Sequence, residues 1–397
     1  MPASDKSQAS SSARPLTLAA YASFVPIGIV TVLLGPMLPT LSTRWSLNYS
    51  QAGALFTVQY LAATAAVALS GWLVGLRGYR FAINVGLVLV TAGMVLLLAG
   101  PKALGMAGIA AYGAGLGFTV PAANLLVAEV NPKERSAKLN VLNFCWSTGS
   151  VACPFLVAAA AKSSHVPLFL ELVAGFSLLV AIAIAVMPAS IVEPSVVPAV
   201  RGSGSLGIDW KLRALPALAL LFFIYVGTEN SFGGWVATYA KSLGSLTPTM
   251  AVTTPSFFYG SLMLGRWLAP LLLRAIDDAR LVQVGLLVAC VGMVGLVLSH
   301  ALPGVVLSAC LAGLGLSAVY PITISLMSRE FGSAASRVGS LMFTLSNLGG
   351  GSLPWLVGVS SNQFGTLKAG LAVPLMGSIA MFLLYSRRWK AEAQEIA

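Results

Sequence analysis

The chain of 397 residues is 57% hydrophobic and only 9% charged, with a mean hydropathy of +0.87. A soluble domain carries roughly 25% charged residues. The charges here are too few to coat a water-facing surface, so composition excludes a soluble globular protein and points to one whose outer surface meets lipid.

In chain order, residues 1–15 are Ser-rich and read as a disordered tail. Runs of about 20 apolar residues, the length that crosses the hydrocarbon core as a helix, then predict spans at 18–40, 51–74, 81–100, 103–128, 137–161 and 166–188. A second set follows at 214–240, 250–273, 281–299, 303–328, 336–359 and 367–386. The runs are long and continuous, unlike the short alternating segments of a β-barrel. The longest polar break, with Pro194, Pro198, Gly202, Gly204 and Gly207, separates the two sets. The expected organisation is therefore a cytoplasmic tail over 1–15, a six-helix bundle over 16–190, a linker over 191–213, a second six-helix bundle over 214–388 and a tail over 389–397.

With both termini inside, the tails and even-numbered loops hold 18 of the 23 Lys and Arg. That positive-inside bias sets the orientation, with both termini in the cytoplasm of a bacterial inner membrane. It also assigns the net charge of +11 to topology and anionic lipid, with no nucleic-acid partner.

The second set echoes the first at an offset of 200 residues. Gly113, Gly115 and Pro121 recur as Gly313, Gly315 and Pro321, and Gly149 and Pro154 recur as Gly349 and Pro354. Glycine and proline set close helix approach and bends, so the two bundles are expected to pack and bend alike. The fold class that follows is an all-α membrane protein of twelve transmembrane helices in two bundles related by a parallel pseudo-repeat, the organisation of many secondary transporters. No phosphate-binding loop occurs. His165, His300 and the scattered Cys145, Cys153, Cys290 and Cys310 form no metal or catalytic constellation. An enzyme is the weaker class, and no cofactor or metal is expected.

Of the twelve acids, only Glu229 falls near the middle of a span. A carboxylate there costs roughly 2.5–3.5 kcal/mol on insertion scales, so it should face a cavity or a partner. Tyr225 and Gly233 share its helical stripe at i−4 and i+4, and Asn230 is adjacent. The Gly233–Gly234 pair ahead of Trp235 is expected to let the helix bend or unwind. Asn124, Asn140, Asn143 and Trp146 from the first half, with Trp235 from the second, are candidate lining for a polar solute, since amides donate and accept without demanding a charge and the two indoles offer flat faces. Gln59, Asn347 and Tyr320 are weaker candidates of the same kind. Each amide reads equally well as a plain interhelical hydrogen bond, and Glu229 alternatively as a structural acid.

Gly71, Gly78 and Arg80 fit the loop pattern Gly-x-x-x-Asp-Arg/Lys-x-Gly-Arg-Arg/Lys, with Arg77 one residue after its first base, Gly75 in place of the acid and Tyr79 in place of a base. In this the chain resembles the major facilitator superfamily. The resemblance implies that the loop latches the second and third spans to the opposite bundle, or that its arginines anchor to lipid phosphates. Arg135 and Arg266 are the comparable cytoplasmic-loop candidates elsewhere. Within that family, Gly115-Leu-Gly-Phe-Thr-Val-Pro-Ala-Ala-Asn124, Lys138-Leu-Asn140, Leu38-Pro39 and Gln51-Ala-Gly53 are similar to the fucose-permease-like branch. The branch implies sugar transport, but its proton-coupling acids fall here on Gly35 and Val120, so coupling by those residues is not inherited.

The leading expectation is a secondary active transporter that moves a small polar solute, with a sugar as the example, by alternating access driven by a proton or monovalent cation. The chain would act as a monomer in the bilayer. The alternatives are an efflux antiporter for drugs or amphiphilic metabolites and a membrane sensor that does not transport. Against the antiporter, only Gly149 and Pro154 fit the family's Gly-x-x-x-Gly-Pro-x-x-Gly-Gly motif, while Cys153, Val157 and Ala158 do not.

Overall fold

The computed structural model describes residues 3–188, 191, 214–331 and 335–396, and all its regular structure there is helical. Apart from Ile191 the expected linker lies outside the described residues. Every predicted span is helical, and ten helical stretches are long and apolar enough to cross a membrane. Two further helices, α9 (Pro248–Leu272) and α13 (Ala335–Phe364), are as long but more polar.

Two predicted spans are broken by proline. The first run divides into α1 (Ala3–Val32) and α2 (Leu34–Arg44). Pro36 has no N–H to donate, and its ring crowds the carbonyl four residues back, where α1 ends. In the same way Pro321 separates α11 (Leu302–Leu316) from α12 (Val319–Phe331). Its echo Pro121 leaves α5 (Lys102–Val130) unbroken, so the two copies differ in helix continuity at this pair. Helix α1 also runs through 3–15, which the composition assigned to a disordered tail; no glycine or proline stops it between Ala3 and Arg14. At the other end α15 (Ala372–Ile396) continues into the expected tail.

Two compact units form. One contains α1 as far as Thr31, α3 (Tyr49–Arg77) from Leu61 onward, α4 (Tyr79–Leu98), α5, α6 (Arg135–Lys162) as far as Cys153, and α7 (Val166–Ala185). The other contains the second half of the chain together with Val32–Tyr60 and Pro154–Lys162.

Glycines set the approach of the helices inside each unit. In the first, Gly115 of α5 has no room for a Cβ against the Gly86 carbonyl of α4, and Gly149 of α6 none against Val25 of α1. In the second, Gly315 of α11 lies in the same way on Gly285 of α10 (Asp278–Leu298), and Gly349 of α13 on Phe223 of α8 (Ala214–Ser242). The packing echo expected from the sequence is present at both positions.

Candidate functional site

Helix α8 runs unbroken through Glu229. The Glu229 carboxylate is 11% exposed and pairs with Arg266 of α9, with Oε2 and Nη2 3.5 Å apart. The same Nη2 donates to the Tyr225 hydroxyl at 3.1 Å. Tyr225 is the i−4 neighbour expected on the Glu229 stripe. Its ring stacks on Tyr320 at 5.3 Å between centroids with a 29° interplanar angle, and Phe222 meets Tyr320 edge-on at 5.7 Å. These are favourable aromatic geometries. Tyr320 stands in the first turn of α12, where the break at Pro321 turns the chain. One α9 cation thus holds both the carboxylate and the tyrosine, and an aromatic pair covers them.

Asn230 completes the group from the next position on α8. Its amide donates to the Val226 carbonyl at 2.8 Å and accepts from the Tyr60 hydroxyl of α3 at 2.7 Å. Gln59, on the same turn of α3, is buried, and Asn347 of α13 is half-buried in the same unit. Chemically, the cluster offers a charge pair that a proton can dissolve by neutralising the carboxylate. It also offers amides and hydroxyls suited to a polar solute.

Several expectations change. Arg266 is no loop residue. It lies within α9, six residues before the helix ends, and its side chain is 25% exposed. A single sequence shows two isolated charges but not that they meet. Trp235 offers no open face: it is fully buried, its Nε1 donates to the Pro354 carbonyl at 2.9 Å, and Tyr49 packs edge-on against it. Gly233 and Gly234 do not interrupt their helix. They are contact points, with no room for a Cβ against the Tyr259 hydroxyl and the Phe56 ring respectively. Gly35, the position of a coupling acid in the fucose-permease-like branch, packs on this pair. A Cβ there would lie 2.7 Å from the Gly233 carbonyl.

The remaining solute candidates sit in the other unit. Asn124 and Asn143 bond the Val120 and Leu139 carbonyls of their own helices, Asn140 is exposed, and Trp146 donates to Thr31 at 3.3 Å. Among the loop candidates, Gly78 caps α4 with φ of 86°, a conformation that suits glycine. Arg77 stacks over Phe81, Gly71 faces open space, and Arg135 is exposed at the start of α6. Arg80 is bound within its own unit: it donates to the Ile184 and Met187 carbonyls at 3.0 and 2.7 Å and so caps the end of α7.

Residues 20–354 match the family model of the Major Facilitator Superfamily. A relative named a glucose/galactose transporter, from Brucella abortus, is 26% identical over 358 residues, covering 85% of each chain. Among solved structures, the nucleoside transporter NupG superposes with a TM-score of 0.76 at 12% identity, over 94% of this chain and 99% of its own. The E. coli fucose:proton symporter gives 0.66 at 18% identity, over 94% and 98%. At such identities the two solved structures speak for the fold alone.

Proposed function

Because the chain belongs to the Major Facilitator Superfamily, a family of membrane transporters rather than enzymes, we propose that the solute it moves by alternating access is a sugar and that Glu229 is the group through which a cation drives it. The observation that carries the reading is the Glu229–Arg266 pair, whose carboxylate is buried in mid-span and which is bounded by Tyr225 and Tyr320. Ionisable groups at such depth mark ion or substrate pathways. The sugar is supported by the relative named for glucose and galactose, and by a cluster rich in hydroxyl and amide groups, which match a polyol's donors and acceptors.

Coupling follows from charge. A proton on Glu229 leaves Arg266 free to turn its donors to a solute hydroxyl; loss of the proton restores the pair and favours release. A monovalent cation beside the carboxylate would act through the same competition. Moving one such charge across the membrane draws about 2.3 kcal/mol per 100 mV. The orientation proposed is that of the Lys and Arg distribution, with both termini in the cytoplasm of a bacterial inner membrane, and the working unit is the monomer.

The test is uptake into proteoliposomes of labelled glucose, galactose and fucose, with a nucleoside as control, under an imposed proton or sodium gradient. The expected outcome is accumulation of at least one sugar above equilibrium. In the Glu229→Gln variant, counterflow should persist while gradient-driven accumulation is lost. Transport of the nucleoside and of no sugar would sink the substrate reading. Unchanged accumulation in the variant would sink the coupling role of Glu229.

A further inference from the structure

Tyr60 has no contrast in the sequence, being one aromatic in a long apolar run, yet it bonds to the Glu229 turn of α8. Its hydroxyl donates to Asn230 Oδ1 at 2.7 Å, and Asn230 is oriented to receive it because its amide nitrogen is tied to Val226.

The ring is seated on glycine. A Cβ at Gly350 would fall 2.7 Å from Tyr60 Cε1, and one at Gly351 would fall 3.2 Å from Tyr60 Cβ. The seat continues along α3. Thr57 donates to the Gly351 carbonyl at 2.9 Å, Phe56 lies on Gly234, and a Cβ at Gly53 would be 2.9 Å from the Trp355 Cα. Residues 49–60 therefore lie along α8 and α13 on a bed of glycines. Such small-residue contacts let helices pack closely, with little side-chain interlocking to hold them. The Tyr60–Asn230 bond is a polar contact from this stretch to the turn bearing Glu229.

We infer that Tyr60 is a positioning residue for ion coupling: its bond to Asn230 ties the seating of the 49–60 segment to the state of Glu229. The inference rests on the coupling role proposed for Glu229. When the carboxylate changes partner, the α8 turn carrying Asn230 shifts with it, and the bond passes that shift to α3. Without the bond the segment seats and unseats regardless of the ion, and the transporter slips. A device of this kind needs a two-state element biased from both ends. Glycine packing supplies the element, and Glu229 and the solute supply the bias.

The experiment compares wild type with Tyr60→Phe, which keeps the ring in its seat and removes one hydrogen bond. Gly350→Ala is the second variant; it displaces the same ring from the other side and carries the test if Tyr60→Phe does not fold. The readouts are gradient-driven accumulation, counterflow of the same sugar, and amide hydrogen exchange over 49–60. An interhelical bond in a membrane protein is worth about a threefold change in an equilibrium. The expected result is an accumulation ratio about threefold lower relative to the variant's own counterflow rate, with exchange over 49–60 faster by a similar factor. A purely structural role lowers accumulation and counterflow together, and that outcome overturns the inference. Wild-type accumulation in both variants, alongside its loss in Glu229→Gln, overturns it too and leaves the coupling role of Glu229 standing. Unchanged accumulation in Glu229→Gln instead removes the premise, and the inference falls with it.

Discussion

In one unit Gly149 of α6 rests on the backbone of Val25, and in the other Gly349 of α13 rests on Phe223. Six residues beyond those contact points stand Thr31 and Glu229. Thr31 donates to the Ile27 carbonyl of its own helix at 2.7 Å and accepts from Trp146 at 3.3 Å. Glu229 is ionisable and takes its partner from another helix. The two positions are equivalent in packing and unlike in chemistry. Repetition preserved the glycines because any side chain there strikes a backbone, whereas a polar side chain facing the interior can change as long as its partners change with it. A transporter on a duplicated frame can therefore concentrate its ion chemistry in one half.

The sharpest way to break this comparison is to remove Arg266. Taking one partner from a buried ion pair strands the other charge, at a cost of about 3–5 kcal/mol. Arg266→Ala is expected to lower stability by about 3 kcal/mol in detergent unfolding, since both groups keep some exposure. Adding Glu229→Gln should recover most of the loss. Thr31→Ala, at the equivalent position, should cost no more than about 1 kcal/mol. If Arg266→Ala unfolds like wild type, the pair contributes nothing and the asymmetry in chemistry is only apparent.

The packing side of the comparison predicts equality. Gly149→Ala and Gly349→Ala each force a Cβ onto a carbonyl of the neighbouring helix. Overpacking of this kind costs about 1–3 kcal/mol. The two variants should differ from each other by less than about 1 kcal/mol. A large difference would mean that the glycines recur in the sequence without recurring in function.

How much of this was legible in the sequence follows from what each signal measures. Apolar length located the helices because lipid demands it, and the 200-residue echo located the glycine contacts because both copies obey the same steric limit. Glu229 stood out as an acid in an apolar run, and its partnership with Tyr225 followed from helical spacing. Arg266 did not stand out, because a base near the end of a span reads as loop charge, and the pairing depends on how α9 lies beside α8. Trp235 and the Gly233–Gly234 pair were misread for the same reason. Periodicity tells which residues share a face, but not which face Pro354, Tyr259 and Phe56 will cover. The break at Pro321 without one at Pro121 shows the limit from another side: a shared proline does not by itself fix a shared break in the helix.

A smaller effect separates the two loops. Arg80→Ala removes two charge-assisted bonds to the end of α7. On a half-buried side chain that is worth about 1 kcal/mol. Thermal unfolding should show the loss, and Arg80→Lys should recover only part of it, since an ammonium lacks the planar fork that spans two carbonyls. If Arg80→Ala leaves stability intact while abolishing transport, the arginine acts as a latch after all and not as a cap.

The smallest effect is expected at Gly75, where the family's loop pattern has an acid. The corresponding loop of the other unit keeps its acids, with Asp278 paired to Arg329 at 3.4 Å and Asp277 to Arg280 at 3.6 Å. A Cβ at Gly75 meets nothing within 4 Å, so Gly75→Asp restores the acid at no steric cost. Replacing glycine near the end of a helix gains a few tenths of a kcal/mol in propensity. A carboxylate close to the C-terminal carbonyls of α3 loses about as much to the helix dipole. Stability should therefore stay within about 0.5 kcal/mol of wild type. Turnover in counterflow is the discriminating measurement. If Arg80 has taken over the securing of this loop by bonding α7, the restored acid finds no vacant role and turnover is unchanged. A marked change in turnover at unchanged stability would show that the loop still responds to an acid, and that the two units differ at this position by loss of a part rather than by substitution of another.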